Sequence, residues 1–197
     1  MKKHMILLAA LALVLPMGAF ADDFTYTGGT MTGDDGGLVL YGTALATVNG
    51  SSDNIHGTVS FNTGILGPVS NVQVGGSIEP GGTVTITSWG SDVLPAGAVF
   101  TGSFDQGGDW YPTFEPNGDL VYTYEGHVSG FMANGQVASG DLTFSIDAGY
   151  DTGFYGSYTG PTGNGDINLT VPEPGELSML GGGLLGLLGV IRRKLKA

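Results

Sequence analysis

The chain has 197 residues, 37 of them glycine, with 41% hydrophobic residues, no cysteine and a formal net charge of −12. Its six Lys and Arg residues all sit at the two ends, at Lys2, Lys3, Arg192, Arg193, Lys194 and Lys196, whereas residues 22–172 hold 16 of the 18 carboxylates and so carry −16 with His neutral. A field of that sign excludes nucleic acid as a partner and repels anionic headgroups; the missing cysteines exclude a disulfide framework, which a domain of about 150 residues can do without.

Met1 to Ala21 reads as a secretory signal peptide. Lys2, Lys3 and His4 make the basic start, Met5 to Leu15 the apolar middle, and Pro16 and Gly18 break the helix ahead of a small-x-small cleavage site at Ala19-Phe20-Ala21. Asp22 then opens the mature chain.

From there to residue 170 the pattern is short strands punctuated by glycine. Leu38 to Tyr41 opens a strand that continues through Leu45 and Val48 to a turn at Asn49-Gly50-Ser51-Ser52-Asp53. Gly57 to Phe61, Val69 to Val74 and Thr83 to Thr87 follow, the last alternating Thr with β-branched apolar residues at a period of two. Ala98 to Phe104 is another strand, and Leu120 to Phe131 and Gln136 to Ile146 flank Ala133-Asn134-Gly135, whose Asn-Gly pair is a strong hairpin signal. Phe154 to Tyr158 and Asp166 to Val171 complete the set. Regular strand and turn spacing without capped helical periods predicts an all-β domain, an antiparallel β-sandwich of jelly-roll-like or immunoglobulin-like layout. A β-solenoid is the competing architecture, but no fixed-period repeat supports it.

Recognisable catalytic motifs are missing: there is no Gly-x-Ser-x-Gly, no His-Glu-x-x-His and no phosphate loop. His56 and His127 lie in strand-like contexts, where an isolated His is ordinarily a surface or cross-strand residue. Asp34, Asp35, Asp119 and Asp166 stand in Gly/Asn-rich turns that offer hard oxygen ligands to Ca²⁺, yet none fits a twelve-residue calcium loop, and Asp, Asn and Gly are ordinary turn residues. Trp110 and Tyr111 fall in a segment, Asp109 to Phe114, that reads as a Pro/Gly-bounded loop; its aromatics would either stack on sugar rings or pack inward. Thr83, Thr85 and Thr87 would share one strand face. No cofactor is implied.

The last 27 residues have three parts in fixed order: Val171-Pro172-Glu173-Pro174, an apolar run from Leu177 to Ile191, and Arg192-Arg193-Lys194 within a basic cluster at 192–196. Two prolines hold the backbone extended around one carboxylate. The apolar run lacks a polar face that would dock it on a domain, so it reads as a transmembrane helix. Fifteen residues span roughly 22 Å, less than the roughly 30 Å hydrocarbon core, which suits a temporary anchor. The cationic end fixes the orientation, with basic residues in the cytoplasm and the Pro-Glu-Pro tag outside.

In these residues the tail resembles the PEP-CTERM sorting signal of Gram-negative bacteria. The resemblance covers residues 171–197 and implies recognition of Val171, Pro172, Glu173 and Pro174 by exosortase, a membrane transpeptidase, with Arg192, Arg193 and Lys194 as the cytoplasmic stop. It further implies export through the secretion machinery, an intermediate anchored in the inner membrane, and final delivery to the outer surface or extracellular matrix. The expected organisation is a signal peptide over 1–21, a secreted β-sandwich over 22–170 and a sorting tail over 171–197. The expected role is structural or adhesive and non-catalytic, in an exopolysaccharide-associated biofilm or surface. The alternative is a secreted carbohydrate-binding module or carbohydrate-active enzyme.

Overall fold

Side-chain alternation sets the two faces of every strand. In Asn164–Val171 each even-numbered residue is exposed and each odd one buried, and Gly57–Thr63 buries Gly57, Val59, Phe61 and Thr63 in the same way. The computed structural model describes residues 20–34, 36–68, 72–92, 94–150, 153–155, 157–159 and 163–171. Ala19, Asp35, Pro172, Glu173, Pro174, the apolar run 177–191 and Arg192, Arg193 and Lys194 lie outside the described residues, as does the signal peptide up to residue 19.

Among the described residues there are twelve strands: β1 (Phe20–Thr27), β2 (Thr30–Asp34), β3 (Gly37–Tyr41), β4 (Ala44–Val48), β5 (Gly57–Thr63), β6 (Gly76–Ile78), β7 (Gly81–Ser88), β8 (Gly97–Phe114), β9 (Asp119–Met132), β10 (Val137–Tyr150), β11 (Ser157–Thr159) and β12 (Asn164–Val171). They form one sheet in the order β11-β2-β3-β5-β7-β8-β9-β10-β12-β1-β4, with β6 paired to β8. The described part of the chain is therefore all-β, and each pairing for which a register is given is antiparallel.

The sheet is not flat. Four strand steps separate β5 from β10, about 19 Å in a flat sheet, yet the rings of Phe61 on β5 and Phe144 on β10 are 6.3 Å apart. The sheet curls until its concave face meets itself, and Phe61, Phe104, Tyr124 and Phe144 form the contact.

One bent hairpin supplies β1 and β4 at one end of the strand order and β2 and β3 next to β11 at the other. β1 runs into β2 through Gly28-Gly29, and β3 into β4 through Gly42-Thr43; the inner halves pair with each other (Thr30↔Tyr41) and so do the outer halves (Thr27↔Ala44). The corner needs glycine: Gly28, Gly29 and Gly42 have φ of 70°, 100° and 72°, and a Cβ on Gly29 would stand 2.8 Å from the Thr43 methyl and 2.9 Å from the Tyr41 carbonyl. The single strand expected over Leu38 to Val48 is thus two, because the chain turns at Gly42. Thr43 seals the seam. Its buried hydroxyl donates to the Val59 carbonyl at 2.6 Å and accepts from the Val59 amide at 2.8 Å, standing in for a backbone neighbour where β3 leaves β5.

Three further expectations are corrected. Residues 72–74 form a turn rather than the end of a strand, because Trp110 Nε1 donates to the Val72 carbonyl (2.9 Å) and the Tyr122 hydroxyl to that of Gln73 (2.8 Å), taking acceptors that a ladder would use. Strand structure is absent from Phe154, a core residue ahead of the short β11. And β8 does not stop at Phe104. It runs 18 residues, through the segment expected to be a loop, because a bulge at Asp105–Gly107 absorbs the irregularity and lets pairing with β9 resume at Gly108.

Candidate functional site

The bulge builds the one polar cluster of the described residues that combines a histidine, carboxylates and a groove. Phe104 pairs with Val128 and Gly108 with Gly126, so Asp105, Gln106 and Gly107 together face His127. Gly107 has φ +76°, and a Cβ there would collide with the Ile78 carbonyl, so the bulge requires glycine at this point. The extra length turns Asp105 across to His127: Asp105 Oδ1 and His127 Nδ1 are 2.6 Å apart. Gln106 Nε2 is 3.3 Å from the same nitrogen. With Nδ1 carrying the proton shared with Asp105, Nε2 is the ring nitrogen left for another contact.

Burial pushes the Asp105 carboxyl up, but hydrogen bonds from His127 and Ser129, and the imidazole's charge, more than offset it and hold Asp105 below the usual carboxylate value. Both side chains are about one-third exposed, at 37% for Asp105 and 29% for His127, which limits what the pair contributes to stability to at most about 1 kcal/mol.

The β8-β9-β10-β12 register extends the cluster into two acidic rows. Asp141 stands opposite His127; Asp109 stands opposite Glu125, which is opposite Thr143, which is opposite Asp166. Between them lies a shallow groove of about 610 Å³, with Ser77, Asp109, Glu125, His127, Asp141 and Thr143 on its walls. Tyr111 stands beside it and donates its hydroxyl to Glu125 Oε1 at 2.6 Å. That hydrogen bond, with partial burial and the charges of Glu125 and Asp109, pushes the Tyr111 hydroxyl up to about 12. Asp166 is raised too, by burial first and the charge of Asp23 second. The floor is glycine and tyrosine. A Cβ on Gly108 would stand 2.7 Å from the Tyr124 hydroxyl, and one on Gly126 closer still, so the ring lies flat beneath both. The Tyr124 hydroxyl is the one buried side-chain polar atom among the described residues without a partner; burial, then the charge of Asp109, pushes its ionisation well up.

Such a groove can accept hydrogen bonds from a hydroxyl-rich ligand or hold a cation in an acidic field. It does not assemble a serine relay, since Ser129 bonds Asp105 rather than the free nitrogen of His127.

The three described calcium candidates, Asp34, Asp119 and Asp166, are not brought together. Asp34 accepts the Gly36 amide (2.8 Å) in the β2–β3 turn, Asp119 accepts from Asn117 Nδ2 (2.6 Å) in the β8–β9 turn, and Asp166 faces outward on β12. Among the described residues no three His, Asp or Glu side chains are placed to hold a metal ion. The aromatic pair is split by strand alternation. Trp110 is fully buried, stacked on Tyr122 at 5.2 Å and edge-on to Phe154 at 5.5 Å, so no face of its ring is free for a ligand, whereas Tyr111 points outward. Val171, the first residue of the expected sorting motif, ends β12 with 7% exposure and belongs to the sheet.

Two features escaped the sequence. Asp105 and His127 are 22 residues apart and meet only through a bulge, which has no spacing rule, although the Gln-Gly-Gly after Asp105 marks a place where a ladder can break. Trp89, 68% exposed, stacks on the imidazole of His56 with ring centres 6.5 Å apart and planes 15° from parallel; the β4–β5 and β7–β8 connections make that plate. Compared with known proteins, no family model, no curated protein and no solved structure matches this chain.

Proposed function

We propose that this chain is an exported, acidic all-β protein that an exosortase-type transpeptidase sorts to the outer surface or extracellular matrix, where it has a non-catalytic structural or adhesive role in an exopolysaccharide-associated layer. The observation that carries the reading is where the sheet ends. Ala21–Val171 is one compact unit, β12 is held between β10 and β1, and Pro172-Glu173-Pro174 follows its last residue directly. Pro172 lacks the N–H that a further ladder bond would need, which supports a boundary between the sheet and the Pro-Glu-Pro segment at that residue. The arrangement of charge supports the same reading, with every Lys and Arg in the two terminal segments and none in residues 22–172. The partners in this scheme are the secretion machinery, the inner membrane during transit, exosortase and an exopolysaccharide. The finer layout, a sandwich of jelly-roll-like or immunoglobulin-like type, belongs to the proposal and rests on the curling that brings Phe61 to Phe144.

Mass spectrometry of the protein from its native host tests this. Loss of residues 1–21 and of everything beyond the Pro-Glu-Pro region is the expected result, and an intact C-terminus overturns it. A second reading, a carbohydrate-binding module or carbohydrate-active enzyme, is favoured by one observation, the groove with Glu125, Asp141 and His127 beside exposed Tyr111. Release of sugar from a polysaccharide, abolished in both Glu125→Gln and Asp141→Asn, would establish it in place of the non-catalytic role.

A further inference from the structure

The outer face of the sheet changes character at the β8 bulge. Beyond it lie the acidic rows. On the other side the register sets out three rows without a charge: Ser60–Thr85–Thr101–Phe131–Val137 across five strands, Thr58–Thr87–Ala98 beside it, and Ser103–Ser129–Ser139–Thr170 next to the bulge. Phe131 and Val137 are 61% and 55% exposed, and the Trp89–His56 plate stands just past the Thr87 row, since Trp89 follows Ser88 at the end of β7.

We infer that this face binds an uncharged polysaccharide laid across the strands, with the hydroxyl rows as hydrogen-bonding partners and Trp89 and Phe131 as stacking platforms. The inference rests on the exopolysaccharide reading above and narrows it to a glycan class and a site. Three arguments carry it. First, charge sorts the ligands. In a region at −16, an anionic polymer is repelled at every approach, and a cationic one is drawn to the rows holding Asp105, Asp109, Glu125 and Asp141. A neutral chain is neither drawn to those rows nor repelled by them at long range, and it meets no charge penalty on the uncharged ones. Second, each Ser or Thr hydroxyl both donates and accepts, as sugar hydroxyls do. Strand geometry repeats them about every 4.8 Å across the sheet and about 6.8 Å along a strand, a lattice suited to an extended polymer. Third, Trp89 and Phe131 are large exposed rings flanking these rows, and a pyranose offers an apolar C–H face to such a ring. A second copy of the chain fits less well, because bringing the two faces together sets two domains of −16 within a Debye length of about 8–10 Å.

The test uses the full-length chain in mild detergent, in pull-downs on insoluble neutral β-glucans (cellulose and curdlan) and on an immobilised polyuronate. Retention on a neutral glucan and none on the polyuronate is expected. Trp89→Ala and Thr101→Glu, both at exposed positions, should each weaken retention about tenfold or more, while Glu115→Gln in the β8–β9 turn leaves it unchanged. The inference is overturned if Trp89→Ala and Thr101→Glu bind as the parent does, if Glu125→Gln and Asp141→Asn are the variants that lose binding, if the polyuronate binds better, or if Thr101→Glu abolishes a dimer and no glycan binds. Should the parent bind no neutral glucan while its tail is processed in the host, this inference falls and the sorting reading stands.

Discussion

The two ends of the outer face are built on the same floor and finished differently. Beneath the hydroxyl rows Phe100 covers Gly102, where a Cβ would stand 2.7 Å from the ring; beneath the acidic rows Tyr124 covers Gly108 and Gly126 in the same manner. Inward glycines let long β8 and β9 bend around the core, and an aromatic two residues away on the same strand, or across from it, refills the space. The floor thus fixes the curvature, while the outward residues are free to differ. One end became neutral and the other acidic, and the bulge at Asp105–Gly107 marks the border. Shape and surface chemistry are separately adjustable here because strand alternation assigns them to different residues.

The comparison can be broken most forcefully from below. Trp110→Ala removes a fully buried ring and the indole N–H that holds Val72, and should cost about 3–5 kcal/mol, seen as a fall in melting temperature of roughly 10 °C or more in calorimetry. Gly108→Ala drives a methyl against the Glu125 carbonyl and the Tyr124 ring, and Gly102→Ala against the Ser129 carbonyl and Phe100. Each should lose about 2–3 kcal/mol by chemical denaturation. Near-equal losses would support a common floor, and a neutral result at either would refute it.

Titration sharpens the difference between carboxylates at the acidic end. Asp105 lies below its ordinary value, so its contribution is complete above about pH 4 and disappears as the pH falls through the depressed value. Asp105→Asn should therefore lose at most about 1 kcal/mol at neutral pH and flatten the acid limb of the stability profile. Asp166 has the opposite sign. Its raised value means the folded state holds the proton more tightly, so stability falls as pH rises through that range. Asp166→Asn should stabilise the neutral-pH protein slightly, by a few tenths of a kcal/mol to about 1 kcal/mol after solvent screening. Parallel urea titrations from pH 3 to 7 read both signs. The smallest effect belongs to the neutral end, where Thr101→Val removes an exposed hydroxyl and should change stability by no more than about 0.5 kcal/mol, leaving any loss of glycan retention to be read as loss of contact.

Much of the fold was legible in advance. The Asn-Gly turn, the Thr alternation of β7 and the outward march of β12 follow from a period of two and from turn chemistry, which are local. The missed elements were β1, β2 and the short β6, together with the second half of β8. β1 and β2 carry acidic sequence broken by Gly28-Gly29 that resembles loop, and they become strands because the bent hairpin places Phe24, Tyr26 and Met31 in the core. Pro112 suggests a break and hence a loop around Trp110, yet β8 continues through it with Pro112 opposite Tyr122.

The sequence by itself determined the charge segregation, the all-β class, the tripartite end and which residues alternate, because each depends only on residue type and near neighbours. Only the tertiary structure decided that the sheet closes on itself through Thr43 and Val59, that Asp105 reaches His127, and that the hydroxyl rows of five strands align into one uncharged face. Register between strands far apart in the chain is set by bulges and by the packing of aromatic side chains over glycine, and neither leaves a fixed spacing along the chain.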